Sequence, residues 1–212
     1  VEVNLDDANG RAIWALGYIM SLSEILHIEI IDEAERILKR SLVPIVNATS
    51  PRAMAFVIKG LYYAHSHRES FNNLPLVQIF ASRLVQMYRH ESNPGWEWFE
   101  SCLTYANSIL PEAMLYSWLF TGDLVYKEAA IQSLDFVLSQ TFNKNGIEVI
   151  SNKNWLQKGH VAGHFGEQPI DVAYTIMTLE KFYSVFRNEE YRIKMETAFN
   201  WFLGQNRLHQ II

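Results

Sequence analysis

A chain of 212 residues, 49% hydrophobic and 13% aromatic, carries enough apolar surface for a sizeable core, which excludes disorder as a general description. Its 18 Lys and Arg are scattered among 23 Asp and Glu, for a formal charge of −5, and no basic stripe marks a nucleic-acid partner. The single Cys102 excludes an internal disulfide and a CxxC metal site, no apolar run reaches the ~18 residues of a membrane span, and the N-terminus lacks signal-peptide features, so a soluble protein of a reducing, cytoplasmic compartment is expected.

Apolar residues recur at helical spacing almost throughout. A first helix is expected over 9–22, preceded in "LDDANGRAIW" by Asp6 and Asp7, either of which suits an N-cap. Arg11 either pairs with one of these aspartates or shares a ligand site with it. The second helix, 30–46, keeps a charged face in "IDEAERILKRSLV". The third, 51–66, follows Ser50, contains Arg52 and repeats apolar residues at Met54, Val57, Ile58 and Leu61. A fourth is expected over 71–90. A Pro94-Gly95 turn opens the loop 91–104, a fifth helix spans 105–121, and Gly122 followed by Asp123 reads as a helix stop and the next N-cap. The sixth, 123–141, leads to the loop 142–167, where "GIEVIS" alone has local strand character. Pro169 suits the first position of a seventh helix, 168–186, with Asp171 favoured in its first turn by the helix dipole. Asn188 opens the eighth, 189–204, in which Glu190 and Lys194 pair at i,i+4.

The odd-numbered helices are apolar nearly all round, as in "PRAMAFVIKGLYYA" and "PEAMLYSWLF", and the even-numbered ones keep a polar face. This alternation predicts an all-α protein of four helical hairpins in two layers, inner helices enclosed by outer ones, forming one domain over 1–212. Inner helices linked through hairpins run parallel. Their N-terminal ends, with the long loops before the third and fourth, are therefore expected to gather polar residues at one rim.

Several of those residues suit carbohydrate. In "GWEWFESCLTYANSILPEA", Trp96, Trp98 and Tyr105 are interleaved with Glu100 and Asn107, and flat aromatic faces beside carboxylates and amides match sugar rings, apolar on a face and hydroxylated at the edge. Glu112 serves the start of its own helix. In "GHFGEQPIDVAYT", one cap residue before Pro169 would suffice, so the successive Glu167 and Gln168 point to a ligand. His160 and His164 are spaced for one helical face, but Gly159 and Gly163 argue for a loop, and without an HExxH pattern no metal is expected. No GxSxG or Gly-rich phosphate loop occurs, no cofactor is expected, and Cys102 reads as an inert thiol.

The stretches "DDANGRAIWALGY", "GWEWFESCLTYANSILPEAML", "HFGEQPIDVAYTI" and "AFNWFLGQNRLHQ", in this order, resemble the C-terminal part of bacterial proteins of the six-hairpin glycosidase-like superfamily, commonly labelled glycosyltransferases or mannosyltransferases. The resemblance implies an α/α toroid, of which this chain holds about four hairpins of six, and a carbohydrate context beside a glycosyltransferase domain. It carries over Asp7, Arg11, Glu100, Tyr105, Asn107, Glu167 and Gln168. Where the family tends to have acidic residues, this chain has Cys102 and Ala106. A partial toroid leaves apolar helix faces at its ends, to be covered by a missing N-terminal portion or by another copy of the chain.

Three functions follow, in order of preference. The first is a carbohydrate-active protein, glycoside hydrolase-like or glycosyltransferase-associated, that binds an oligosaccharide at the inner-helix rim and processes it by carboxylate acid/base chemistry. Asp7, Glu100 and Glu167 are its candidate catalytic residues. Arg11, Arg52, Trp96, Trp98, Tyr105, Asn107, His164 and Gln168 are its candidate substrate-binding residues. The second is a noncatalytic sugar-binding or accessory module of a glycosyltransferase system, and the third a helical-repeat scaffold for a protein partner.

Overall fold

The computed structural model describes residues 4–67, 71 and 73–208. His209 and Gln210, which end the last of the four quoted stretches, lie outside the described residues, as does Asn72 near the expected start of the fourth helix. Among the described residues there are eight α-helices: α1 (Asp6–Ser21), α2 (Ile28–Ile45), α3 (Pro51–His67), α4 (Leu74–Glu91), α5 (Ile109–Thr121), α6 (Leu124–Thr141), α7 (Pro169–Phe186) and α8 (Glu189–Phe202). The strands β1 (Cys102–Leu103), β2 (Phe142–Asn143), β3 (Gly146–Ile147) and β4 (Leu156–Gln157) are two residues each. The protein is all-α.

By its contacts the chain divides into two compact units, one of Val1–Gln86 with Ala113–Lys127, the other of Met87–Glu112 with Glu128–Ile212. In the first unit α1 and α3 run parallel in a constant register. Gly10 lies against Ala53, and Gly17 against Gly60. A Cβ on Gly17 would stand 2.0 Å from the Gly60 carbonyl oxygen, and one on Gly60 would stand 2.6 Å from that of Ile13, so hydrogen side chains are what let the two backbones meet. The same register holds at the helix starts, where the Thr49 N–H donates to Asp6 at 3.1 Å and the Ser50 hydroxyl to Asp7 at 2.7 Å, both 43 residues apart. Farther along α3, Tyr62 packs on Tyr116 with ring centroids 4.4 Å apart and His65 on Phe120 at 4.7 Å, so the end of α5 also runs parallel to α3.

Burial follows the apolar pattern for α3, whose residues 52–61 are all buried. It departs from it for α1. Gly10, Ile13, Gly17 and Met20 are buried, whereas Arg11, Ala12, Ala15 and Tyr18 are exposed, although Arg11 lies over Phe56 and Tyr18 meets Tyr63 edge-on.

In the second unit the start of α5 runs parallel to α7: Ser108 and Thr175 share a 2.8 Å hydroxyl contact, and the Thr178 hydroxyl donates to Glu112 at 3.4 Å. α7 and α8 form an antiparallel hairpin, with Phe182 on Tyr191 at one end and Val172 near Ala198 at the other. Helix ends follow local chemistry. Gly122 takes φ +77° after α5, and Asp123 accepts from the Val125 N–H at 2.9 Å; Asn188 accepts from the Glu190 N–H at 3.0 Å, and Glu190 pairs with Lys194 at 3.5 Å. "GIEVIS" contributes β3, which pairs with β2 in a short hairpin, while β1 pairs with β4 across the long loop. No helix among the described residues is long and apolar enough to cross a membrane.

Candidate functional site

In the first unit, Asp6 and Asp7 lie inside the first turn of α1 rather than ahead of it, and the N-cap position is taken by Leu5 without a side-chain bond. Asp7 instead ties α1 to α3. One of its oxygens accepts from the Ser50 hydroxyl, whose oxygen in turn accepts from the Ala53 N–H at 3.3 Å and so caps α3. The other faces Arg11 at 3.7 Å, and the Arg11 guanidinium lies 5.2 Å over the Phe56 ring. Arg52, in the first turn of α3, is 4% exposed. The structure thus brings Asp7 and Arg11 together in a helix-to-helix tie and buries Arg52 in the helix layer.

The second unit holds the remaining candidates. Trp96 and Trp98, expected to offer open faces to a sugar, are core residues at 6% and 0% exposure. Trp96 packs edge-on against Phe136 and donates its indole N–H to the Glu100 carbonyl at 2.8 Å, and Trp98 packs on Phe99 and Phe136. Large flat rings following a tight turn bury more apolar area than any neighbour, which draws them inward. Asn107 is buried too and holds its own loop, its amide donating to the Thr104 carbonyl at 2.8 Å and accepting from the Thr104 N–H at 3.0 Å. The expected fifth helix therefore begins only at Ile109, since residues 104–108 turn through Ala106 at φ +50°. Asp171 reaches that turn and accepts a short hydrogen bond from the Ala106 N–H, so it secures the loop before α5 rather than the start of α7. Glu100 is half-buried, and Tyr105, also half-buried, faces Trp155 with ring centroids 6.4 Å apart. Gln168 occupies the N-cap position of α7 without a side-chain cap, and Pro169 follows at the first helical position as expected.

Glu167 lies in a different setting. The loop that carries it is pinned by the Ser151 hydroxyl, which donates a short bond to the Phe165 carbonyl, and by the Asn152 N–H, which donates to the Gly166 carbonyl at 3.0 Å. Gly166 has φ +82°, a conformation other residues adopt only with strain, and a Cβ there would displace the Asn152 side-chain oxygen, 2.5 Å away, so glycine is favoured immediately before Glu167. Its carboxylate forms a 2.8 Å ion pair with Arg207, whose guanidinium also lies 4.9 Å over the Phe165 ring. Arg207 is placed by the end of α8. Gly204, at φ +92°, donates to the Trp201 carbonyl and Gln205 to the Asn200 carbonyl, a pair of bonds that closes the helix and turns the chain back.

Glu167 and Arg207 line a cavity of about 150 Å³ together with Gln140, Asn143, Glu148 and His164. Two carboxylates, a guanidinium, an imidazole and two amides thus converge within one unit, a donor and acceptor set suited to a polyhydroxylated ligand. Of the sequence candidates only Glu167 and His164 meet here. Glu148 and Arg207 carried no functional expectation, although both stand in segments singled out by their pattern. Glu148 belongs to "GIEVIS", and its N–H donates to the Thr141 carbonyl at 2.7 Å, continuing the β2–β3 hairpin; Arg207 follows a glycine that ends a helix. Their meeting with Glu167 needs three loops folded together and leaves no sequence spacing to read.

His160 and His164 lie in an irregular loop and are exposed. Among the described residues, no group of three or more His, Cys, Asp or Glu is arranged to hold a metal ion. Comparison of the chain with protein families, with curated proteins and with solved structures gives no match.

Proposed function

We propose that this is a carbohydrate-active protein of the α/α-toroid type that binds an oligosaccharide in the cavity walled by Glu148, Glu167, His164 and Arg207 and processes it by carboxylate chemistry. The observation that carries the reading is the convergence of two carboxylates with cationic and amide side chains in one polar cavity. The parallel packing of α1 with α3, and of the start of α5 with α7, is in keeping with a helical-hairpin repeat. In a hydrolytic role, Glu148 and Glu167 are the two carboxyl groups that would divide the acid and base steps at the glycosidic bond, with Arg207 ion-paired to Glu167 and orienting it. Relative to the catalytic trio of Asp7, Glu100 and Glu167, this moves the chemistry to Glu148 and Glu167 and leaves Asp7 as a tie between helices.

One observation favours the second reading, a noncatalytic sugar-binding or accessory module working with a glycosyltransferase. Both carboxylate-bearing loops are held by the fold itself, and one carboxylate oxygen of Glu167 is already engaged by Arg207 at 2.8 Å. A glycan array followed by hydrolysis and phosphorolysis assays of the bound glycans separates the two. Catalysis predicts turnover that falls roughly 10²–10⁴-fold in Glu148→Gln and Glu167→Gln. Binding without turnover assigns the module, and absence of any bound glycan overturns the carbohydrate reading.

A further inference from the structure

A second hollow of about 520 Å³ adjoins the candidate site, and the two share Glu148 and Arg207 as common wall. It is lined also by Asn145, Ile147, Gln205 and Asn206, from the β2–β3 turn and the chain just after α8. The smaller cavity, which holds Glu167 and His164, falls below the roughly 300 Å³ at which small-molecule sites begin, whereas the larger lies within their range. A ligand confined to the carboxylate cavity would therefore be small and weakly held. One that continues past Arg207 gains a second set of contacts.

The partition between the hollows is built into the fold. Arg207 is held on one side by Glu167 at 2.8 Å and on another by the Phe165 ring, while Asn206 spends its side chain on structure, donating to the Trp201 carbonyl at 2.7 Å and accepting from the Leu208 N–H at 2.9 Å. Asn145 and Gln205 are the exposed amides of the larger hollow. An amide offers two donor hydrogens and an acceptor oxygen, the pairing that vicinal sugar hydroxyls take.

We infer that the ligand is an oligosaccharide of at least two units that straddles the Glu148–Arg207 wall, with one unit in each hollow, and that Asn145 and Gln205 select the unit in the larger one. This rests on the carbohydrate reading of the cavity. The site would then recognise a linkage between sugars rather than a single sugar, since the shared wall lies where the two units join.

The test is isothermal titration of the whole chain with gluco- and manno-oligosaccharides of one, two and three units. The disaccharide of the recognised series is expected to bind at least about tenfold more tightly than its monosaccharide. Asn145→Ala with Gln205→Ala should abolish most of that gain, whereas Glu167→Gln should weaken the disaccharide and the monosaccharide alike. Gln205→Ala alone, at an exposed position after the helix end, serves if the double variant melts early. Equal affinity for one and two units, or a gain that survives the substitutions, overturns the second subsite and leaves the carbohydrate reading intact. Failure of every sugar to bind the unaltered chain overturns both.

Discussion

Gly17→Ala is the sharpest test of the packing that joins α1 to α3. In an exposed helix, alanine in place of glycine stabilises by about 1 kcal/mol. Here the new Cβ would stand 2.0 Å from the Gly60 carbonyl oxygen and 2.7 Å from its carbonyl carbon, both backbone atoms that no rotamer change can move. Ordinary carbon–oxygen contact is about 3.3 Å, so the helices must part by roughly 1 Å, loosening Trp14 on Phe56 and the Asp7–Ser50 bond. Overpacking of this kind costs about 1–3 kcal/mol, and more where backbone alone must yield, which outweighs the propensity gain. A net loss of about 2 kcal/mol lowers the melting midpoint by roughly 4–8 °C in a chain of this size. Melting followed by far-UV circular dichroism gives the midpoint, and the near-UV signal of Trp14, stacked 5.7 Å from Phe56, reports on the same interface. Ala15→Gly, at an exposed position of α1, controls for propensity and should lose only about 1 kcal/mol. A Gly17→Ala chain that melts at or above the parent temperature would refute the close approach.

Three other outcomes follow from the second unit. Glu167 and Arg207 have side chains 12% and 28% exposed, so a double-mutant cycle with Glu167→Gln and Arg207→Gln should return a coupling of about 1–2 kcal/mol in urea unfolding; additive losses would mean that the pair is not formed. Asp171→Ala should cost about 2–3 kcal/mol, because the buried Ala106 N–H loses a charged acceptor, and Asp171→Asn clearly less; equal losses in the two variants would count against that bond. Asp135 is held above its ordinary value of 3.8 by burial first and by Glu190 second, with Lys194 opposing. Its native state therefore binds the proton more tightly than the unfolded chain, and its contribution to stability falls as pH rises from that value through the raised one. Asp135→Asn should accordingly be more stable than the parent at neutral pH and match it in acid below the ordinary value. A difference in melting midpoint that does not change with pH would contradict this.

Local physics made the helices legible. The 3.6-residue apolar repeat, Gly122 before Asp123, Pro169 at a helix start and Asn188 before two glutamates act within a few residues of themselves, and the structure has each where the pattern puts it. Boundaries drifted where tertiary contacts outbid propensity. α5 starts four residues later than its apolar pattern begins because Asp171 and Asn107 hold residues 104–108 in a turn, and α1 starts three residues earlier because Asp6 and Asp7 are engaged by Thr49 and Ser50.

Side-chain chemistry alone could nominate candidates for the site without deciding which way they face. Trp98 and Glu167 stood in equally suggestive stretches, yet one is sealed in the core and the other lines a cavity, since burial depends on what the rest of the chain brings to each position. The sequence by itself determined an all-helical chain, its turn residues and the presence of a polar loop before α7, because these follow from spacing and backbone preference. The tertiary structure decided that Gly17 would meet Gly60, that Asp7 would bind helices together, and that Glu148, Glu167 and Arg207 would share one wall. Those are meetings of residues tens of positions apart, and no local preference of the backbone encodes them.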